Sequence, residues 1–543
     1  MFDLLELDEV ICQQLKRQDL AQCARVNKKW NRVVTPHLWS NMTNLSEDRQ
    51  MDFQIMIRED YLYEQQRLQL QEGDLGMEQH VQEHRLSPAL STLEKYGPWI
   101  RRLPYPGDLL SILHSPEEKK PAAHELIHHL YKRCPFLDVQ ELSITEGALS
   151  SNDKLRTIEE YLLRHARDLR VYCCSKMEPR RLKYLLKRCP NKEKLSLQVK
   201  VSNTEDAKED WAVDQTVDES DDWVQLKEVR LYSCEGGSKE FWLWLLKRLS
   251  HIRRLEFWPR DEVVAECLAE VMLTDMAELD EIHLIHDIYI AADLPDDLVA
   301  ALLSGSRKGW KVVKAKFMWD VGEVIMEALA NHFPTLEVFD VNFCEDYMFN
   351  DLVRVLSSSP NLHTLITIDD NWLLRCQNPH LEAVKFIDRD ANTGLLKAWK
   401  CETTLKVLKL KIRGIPRPDL EGDGVVGEEY PGQGHEIQRP VYDRLARFTN
   451  LETLWLGEYR WLDQWDCLEM SLESGLYKLK GLKALKELNV WCMKTKIGLE
   501  EVQWMTENWP RLNAINGIDR GFSDDNDRAV RWLQEYHPKI RLQ

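Results

Sequence analysis

One short pattern of positions, apolar–x–x–apolar–x–apolar, recurs along most of the chain, with helix-like segments between its copies. The clear copies are LKEVRL (226–231), IRRLEF (252–257), LDEIHL (279–284), LEVFDV (336–341), LEAVKF (381–386), LKVLKL (405–410), LETLWL (451–456) and LKELNV (485–490). The weaker copies are VQELSI (139–144), LRVYCC (169–174), KEKLSL (192–197), VKAKFM (313–318), LHTLIT (362–367) and LNAING (512–517). Side chains alternate along a strand, so the fourth and sixth positions face the same side. The pattern therefore predicts a β-strand in each copy and a helix after it.

The copies begin between Val139 and Leu512 at an average interval of about 29 residues, which lies in the range of leucine-rich repeats. Cys234 and Cys344 follow the last apolar position of their copies by three residues, where such repeats place Asn or Cys. Proline also stands two residues before several copies, where it ends the preceding helix and favours extended backbone. These prolines are Pro190, Pro334, Pro360, Pro379 and Pro510.

A single repeat cannot bury its own apolar face, so neighbouring repeats must stack. The predicted fold class is therefore α/β, with a leucine-rich-repeat solenoid, a parallel β-sheet lined by helices, over residues 96–543. A closed α/β domain made of ordinary βα units is the alternative. The even spacing and the recurring prolines favour the solenoid.

Three segments do not follow the repeat. Residues 203–222 hold nine acidic residues and one lysine, and residues 413–440 are rich in Gly and Pro. Both are predicted to be exposed insertions in the solenoid. Residues 46–95 are predicted to be a helical linker, which follows a small all-α domain at residues 1–45.

Composition limits the classes of protein to which the chain can belong. Its 543 residues are 43% hydrophobic, which suits a large core and excludes a disordered protein. A formal net charge of −18 argues against a general nucleic-acid binder, because phosphate binding requires a basic face. The thirteen cysteines form no CxxC pair, the N-terminus is acidic, and the longest apolar run (241–246) is too short for a membrane span. We therefore expect a reduced protein of the cytoplasm or nucleus, with neither membrane nor nucleic acid as a partner.

Two short motifs are similar to parts of enzymes. HELIHH (124–129) has the HExxH spacing of zinc proteases, but KYLLKRCP (183–190) fills the same place as HHLYKRCP (128–135) without histidines. GDGVVG (422–427) has the glycines of a dinucleotide-binding loop, but nearby acidic residues would repel phosphate and no helical pattern follows. We therefore predict no metal, no cofactor and no catalytic residue. A metallohydrolase built on HELIHH is the alternative hypothesis.

The first 45 residues are predicted to form short helices with more apolar surface than they can bury by themselves. Val26, Trp30 and Val33 follow a helical rhythm, and Asp19 and Thr35 are placed to cap helices. A unit of about 40 residues is near the limit for independent folding. The surplus surface is expected to be covered by another protein or, as the alternative, to cap the end of the solenoid.

This segment resembles an F-box, the docking module of substrate receptors in Skp–cullin–F-box (SCF) ubiquitin ligases. The matching features are the leucines at the start, Glu9-Val10-Ile11, Asp19-Leu20, Val26, Lys29-Trp30 and Leu38-Trp39. F-boxes usually carry Leu-Pro near the start, whereas Leu4-Leu5-Glu6 has no proline. The resemblance implies binding to the Skp adaptor and, through it, to the cullin subunit. The residues expected to dock on Skp are Leu5, Leu7, Val10, Ile11, Leu15, Leu20, Val26, Trp30, Leu38 and Trp39.

An F-box followed by leucine-rich repeats is the arrangement of one subclass of these receptors. It implies a non-catalytic adaptor of an SCF-type E3 ubiquitin ligase, whose repeats bind a protein substrate. Outward strand positions are the expected substrate contacts, because exposed aromatic residues and Arg dominate protein interfaces. These positions are Arg230, Tyr232, Trp258, His283, Lys316, Lys409, Trp455, Asn489 and Trp491. The alternative is a leucine-rich-repeat scaffold that binds proteins and is unrelated to ubiquitination.

Overall fold

The structure is a computed structural model that divides into two compact units, Met1–Phe241 and Trp242–Gln543. It describes residues 21–22, 34, 129–130, 132–134, 141–145, 166–189, 191–203, 223–258, 260–285, 294–316, 322–341, 351–368, 380–415, 417, 434–457, 467–518 and 524–542. No helix within these ranges is both long and apolar enough to cross a membrane.

The described part of the first unit is a parallel sheet. Its strands are β1 (Glu141–Thr145), β2 (Asp168–Met177), β3 (Lys194–Val201), β4 (Glu228–Tyr232) and β5 (Glu235–Gly236). The first four are neighbours in chain order, and β5 pairs with the end of β3. Helix α1 (Pro179–Lys187) connects β2 to β3 and begins with a proline, whose fixed φ suits the first turn of a helix.

A buried lysine closes the end of α1. The Lys192 ammonium donates to the carbonyl oxygens of Leu186 at 3.0 Å and Cys189 at 2.9 Å. It also lies 3.7 Å from the centre of the Trp223 ring. Carbonyls in the last turn of a helix lack helical partners, so a cation placed there satisfies them and complements the helix dipole.

The second unit contains the longer run of strands. In its main sheet, the neighbours follow chain order as β6 (Arg254–Trp258), β7 (Glu281–Ile285), β8 (Val312–Lys316), β9 (Val338–Asp340), β10 (Thr364–Ile366), β12 (Val407–Lys409), β14 (Thr453–Trp455), β15 (Glu487–Asn489), β16 (Ala514–Asn516) and β17 (Arg541–Leu542). All the pairings between them are parallel. A separate two-stranded sheet joins β11 (His380–Glu382) to β13 (Lys411–Arg413).

Helices alternate with these strands. They are α2 (Lys239–Lys247), which contains the boundary between the units, α3 (Glu262–Thr274), α4 (Asp296–Leu303), α5 (Glu323–Ala330), α6 (Asp351–Ser358), α7 (Ala383–Phe386), α8 (Gly434–Leu445), α9 (Leu499–Asn508) and α10 (Asp524–Tyr536). A 3₁₀ helix (Leu476–Gly481) lies between β14 and β15. The prediction of an α/β fold with parallel strands and intervening helices is confirmed.

Local sequence explains where these elements begin and end. The Asp261 carboxylate accepts from the backbone N–H of Val263 at 2.9 Å and caps α3. Pro334, Pro360 and Pro510 each lie between the end of a helix and the next strand, as predicted. Pro190 and Pro379 lie outside the described residues. The middle residues of β12, β14 and β15, which are Leu408, Leu454 and Leu488, are buried in the core.

Every copy of the pattern except one carries a strand of a main sheet. The exception is LEAVKF, where the strand prediction is wrong: β11 ends at Glu382, and Ala383–Phe386 is a helix. Ala383 and Phe386 are buried and Val384 is exposed, so the buried residues are three positions apart, as on one face of a helix turn. The apolar pattern alone cannot distinguish this turn from a strand.

The predicted insertion at 413–440 is too long at both ends. Arg413 is the last residue of β13, and Gly434–Pro440 is the first part of α8. The sequence HEIQRPVYDRL buries Gln438, Val441, Tyr442, Arg444 and Leu445, which gives this helix an inner face despite its polar composition. The residues at 204–222 lie outside the described ranges, as does Cys344.

Cys234 behaves as the repeat pattern predicts for its position. Its side chain is buried and its Sγ donates to the Leu197 carbonyl oxygen at 3.4 Å. Burial raises the pKa of this thiol to about 12. The group therefore remains a neutral donor inside the repeat at physiological pH.

Candidate functional site

The parallel register of the second unit aligns one outward residue from each strand. We call this line the outward row; its members, in order of strands, are Glu256, His283, Lys314, Asp340, Ile366, Lys409, Trp455, Asn489 and Asn516. Each lies directly beside its neighbour because parallel strands pair without a shift here. Four predicted contact residues, His283, Lys409, Trp455 and Asn489, are therefore brought into one line across the sheet.

The end of the outward row near β12–β16 is tied together by a shared carboxylate. The Lys409 ammonium lies 3.2 Å from the centre of the Trp455 ring, which is a cation–π contact. The Trp455 indole N–H donates to Glu487 Oε1 at 3.1 Å, and Asn516 Nδ2 donates to the same oxygen at 3.2 Å. The aromatic, cationic and amide groups are thus held in fixed positions relative to each other.

Immediately beyond this end, three chain segments approach closely. Asn489 Oδ1 accepts from the backbone N–H of Trp491 at 3.0 Å and turns the chain after β15. Gly457 and Gly517 lie on either side of Trp491: a Cβ on Gly457 would meet the Trp491 carbonyl oxygen at 2.2 Å, and one on Gly517 would meet its nitrogen at 2.7 Å. Only glycine permits such contact between backbones. The half-exposed Trp491 side chain therefore projects from a tightly packed support.

The other end of the outward row, near β6 and β7, is organised by Arg254. Its guanidinium Nη2 lies 3.3 Å from His283 Nδ1 and 4.0 Å from Glu256, and its Nε lies 4.0 Å from Glu281. Trp258, at the end of β6, is half-exposed. Lys316 is the last residue of β8, in register with Ile285. The Arg254 cation thus lies between the carboxylates of Glu256 and Glu281 at this end of the row.

The first unit holds the two remaining predicted contacts, Arg230 and Tyr232, on β4. The Arg230 guanidinium lies 2.6 Å from the Glu228 carboxylate, which Lys194 also approaches at 3.1 Å. Both Arg230 and Tyr232 are half-exposed. These two residues are described separately from the outward row, which belongs to the second unit.

The exposure of three predicted contacts differs from the expectation. His283, Trp455 and Asn489 expose only 5%, 7% and 7% of their surface, although they occupy outward positions. Neighbouring strands are about 4.8 Å apart, so a side chain flanked on both sides in register is largely covered by its neighbours. The expectation of exposed side chains is therefore wrong for these three, whereas Arg230, Tyr232, Trp258, Lys409 and Trp491 are half-exposed.

Sequence reasoning missed five members of the outward row, and it also missed Glu487, which lies beside the row. The five are Glu256, Lys314, Asp340, Ile366 and Asn516. Asn516 has the same place in LNAING that Asn489 has in LKELNV, and this equivalence is visible in the sequence. Glu487 joins Trp455 to Asn516 across two strands, and nothing in its local sequence signals that role. Only the register of the sheet identifies it.

The two enzyme-like motifs contribute little to the described structure. His129, the last residue of HELIHH, is helical and buried, while residues 124–128 and the whole of GDGVVG lie outside the described ranges. In the described part of the chain, no group of three or more His, Cys, Asp or Glu side chains is placed to hold a metal ion.

The predicted docking residues of the N-terminal segment also lie outside the described ranges. They are Leu5, Leu7, Val10, Ile11, Leu15, Leu20, Val26, Trp30, Leu38 and Trp39. The structure describes three other residues of this segment. Ala21, Gln22 and Val34 are helical, and Val34 is fully buried.

Comparison with known proteins identifies the N-terminal segment. Residues 9–44 match the F-box-like family. No similar protein is found among curated proteins. Among solved structures, the crystal structure of the Rad7 and Elc1 complex in yeast shares 13% identity, covers 58% of this chain and 80% of that chain, and has a TM-score of 0.29. The family match alone shows that the chain carries an F-box-like domain at residues 9–44.

Proposed function

We propose that this protein is a substrate-recognition adaptor of an SCF-type E3 ubiquitin ligase. The observation that carries the proposal is the F-box-like domain at residues 9–44, because F-box domains bind Skp-type adaptors. The repeats would supply the second binding surface. One chain would then hold a protein substrate close to the cullin-bound enzyme that transfers ubiquitin.

In this role the protein is not an enzyme. Any acceleration of ubiquitin transfer would come from proximity, since holding two reactants together replaces a bimolecular encounter by an intramolecular one. We propose the cytoplasm or nucleus as the place of action, which localisation of the tagged full-length protein would test.

The outward row supports the proposed substrate site. Aromatic and cationic groups on a rigid support are the residue types that contribute most to protein interfaces. Trp258, Lys409 and Trp491 are half-exposed at the row or beside it, and they are the proposed direct contacts. The buried Trp455 and Asn489 would act by holding these neighbours in place.

A binding experiment with purified Skp and cullin subunits tests the docking half of the proposal. The intact protein should retain both subunits, and the double variant Trp30→Ala, Leu38→Ala should lose them. Trp258→Ala is the matched control, because it removes an aromatic side chain from the repeats and should leave Skp binding unchanged. Failure of the intact protein to bind Skp would refute the ligase role and leave the scaffold unrelated to ubiquitination.

The substrate half needs a separate measurement. Proteins whose ubiquitination in cells depends on the intact chain should be identified. The ubiquitination of the same proteins should then be measured with the single variants Trp258→Ala, Lys409→Ala and Trp491→Ala and with the double variant Trp30→Ala, Leu38→Ala. We expect each of these variants to lose it. A set that depends on Trp30 and Leu38 but not on Trp258, Lys409 or Trp491 would exclude the outward row as the substrate surface.

A further inference from the structure

Helix α1 of the first unit carries a strongly basic surface. The stretch from residue 179 to residue 192 has six basic residues and no acidic one, in a protein whose net charge is −18. They are Arg180, Arg181, Lys183, Lys187, Arg188 and Lys192. Lys183 and Lys192 are buried, whereas the other four reach the surface. The nearest acidic residues in sequence are Glu178, which precedes the first turn, and Glu193, which pairs with Arg167 at 3.4 Å and with Lys227 at 3.7 Å.

The exposed cations share one side of α1 with an aromatic ring. Arg180, Tyr184 and Arg188 are spaced by four residues, and Lys187 lies beside them, seven residues after Arg180. We call these four residues the basic face. The Arg188 guanidinium lies 5.2 Å from the centre of the Tyr184 ring, and Tyr184 exposes 41% of its surface. The helix dipole favours cations in the last turn of a helix but not in the first, so it does not account for Arg180.

The next connection between strands is as acidic as α1 is basic. Residues 204–222, which we call the acidic connection, lie between β3 and β4 and hold nine acidic residues and one lysine. A short apolar stretch, residues 211–213, stands between two of the aspartates. Strands β2, β3 and β4 are neighbours in the sheet, and α1 joins the first two of them. The acidic connection therefore belongs to the repeat next to α1.

The acidic connection starts and finishes at opposite ends of α1. Before it, the Ser202 N–H donates to the Met177 carbonyl oxygen at 2.9 Å, just ahead of the first residue of α1. After it, the Trp223 ring centre lies 3.7 Å from the Lys192 ammonium, which bonds to the Leu186 carbonyl oxygen in the last turn of α1. The helix is about 14 Å long, and the acidic connection can span about 60 Å when extended. It is therefore long enough to run along the whole helix.

We propose that the basic face of α1 is a docking surface for the acidic connection of the same chain. Its carboxylates would pair with Arg180, Lys187 and Arg188, and its apolar stretch would lie against Tyr184. Attachment at both ends keeps the acidic connection at an effective concentration in the millimolar range. An acidic partner protein or a nucleic acid would have to compete with that concentration. The contact masks the basic face and does not depend on the proposed ligase role.

The test uses a full-length variant in which every aspartate of the acidic connection is changed to asparagine and every glutamate to glutamine. The probe is a fluorescein-labelled peptide with the natural sequence of residues 204–222, and the reference peptide has the neutralised sequence. At low salt, the neutralised protein should bind the acidic peptide at least about tenfold more tightly than the intact protein does, because the basic face of the intact protein is already occupied. The reference peptide should bind to neither protein.

Charge reversals in the neutralised protein locate the contact. Lys187→Glu with Arg188→Glu should abolish binding of the acidic peptide. The matched control is Lys385→Glu with Lys400→Glu, which reverses two exposed cations of the second unit and should leave binding unchanged. Circular dichroism verifies that each variant folds. If the reversal at Lys187 and Arg188 prevents folding, Lys187→Gln with Arg188→Gln takes its place and should weaken binding of the peptide.

Three results would overturn the proposal. The first is equal binding of the acidic peptide by the intact and the neutralised protein. The second is binding that survives the changes at Lys187 and Arg188. The third is a single-stranded oligonucleotide that binds the intact protein through Lys187 and Arg188 as tightly as it binds the neutralised protein, because the basic face would then be open to an external ligand.

Discussion

Replacing Gly517 with alanine tests how tightly the strand ends around Trp491 are packed. Gly517 has a φ of +93°, in the region that favours glycine, and its added Cβ would lie 2.7 Å from the Trp491 nitrogen and 2.8 Å from its Cα. Both neighbours are backbone atoms, so they cannot rotate away as a flexible side chain could. The substitution therefore combines backbone strain with overlap.

Two other glycines separate these effects. Gly394→Ala introduces backbone strain without overlap, because the φ of Gly394 is +66° and nothing lies within 4 Å of the added Cβ. Gly457→Ala introduces overlap without backbone strain, since its Cβ would lie 2.2 Å from the Trp491 carbonyl oxygen and the φ of Gly457 is not in the left-handed region. Strain costs about 1–2 kcal/mol and overpacking about 1–3 kcal/mol. We therefore expect Gly517→Ala to lower the local free energy of opening by about 2–5 kcal/mol.

Hydrogen exchange followed by mass spectrometry measures these local free energies, because each peptide reports the opening of its own segment. Peptides that cover β14–β16 should exchange faster in the Gly457 and Gly517 variants and should be unchanged in the Gly394 variant. If Gly517→Ala had no larger effect at its own site than Gly394→Ala has at its site, the close packing around Trp491 would be refuted.

Three further predictions concern buried or covered groups. Arg444→Met should lower the free energy of unfolding by about 3–5 kcal/mol, because it removes a buried cation from fixed acceptors. Arg447→Met changes a half-exposed cation and should lower the free energy of unfolding by about 1 kcal/mol or less. Urea denaturation of both variants measures the difference. Lys409→Ala should uncover Trp455 and cost about 1 kcal/mol, seen as greater quenching of tryptophan fluorescence by acrylamide, and unchanged quenching would contradict the contact. Burial raises the pKa of Cys234 from 9.0 to about 12, so the unfolded chain loses this proton first and stability should fall between pH 9 and pH 12. Cys234→Ala should fall less steeply in that range, and an identical slope would show that the thiol does not contribute.

The large effect expected for Arg444 follows from its surroundings. The guanidinium donates to the carbonyl oxygens of Phe386 at 3.2 Å and Asp388 at 3.0 Å and to the Glu402 carboxylate at 2.9 Å. Its central carbon also lies 4.1 Å from the centre of the Trp399 ring. The side chain thus joins α8 to the irregular segment between β11 and β12, and its removal leaves several buried acceptors without a donor.

The repeat pattern predicted the strands because each one depends on local alternation. LETLWL and LKELNV become β14 and β15, with Leu454 and Leu488 in the core. LEAVKF failed because the same apolar spacing also fits one turn of helix. LNAING is an imperfect copy that ends in Gly517, and the structure shows why glycine is required there: the Trp491 backbone occupies the space of a side chain.

The composition of the outward row was only partly predictable. The strand pattern predicts the face of the sheet on which Trp455 lies. The exposure of the Trp455 side chain, however, depends on Lys409 and Asn489, which are distant in sequence and adjacent in register. The bridging role of Glu487 depends on the same register. Such information exists only after the strands have paired, because it concerns neighbours and not local periodicity.

The regular register of the main sheet has a consequence for the length scale of any extended ligand. Strands about 4.8 Å apart place the nine members of the outward row over about 38 Å. An extended peptide advances about 3.3 Å per residue, so two strand spacings correspond to about three of its residues. A peptide lying along the row would therefore place every third residue above every second strand. Two repeats of about 29 residues each would in this way be matched by a three-residue period in the sequence that the protein binds.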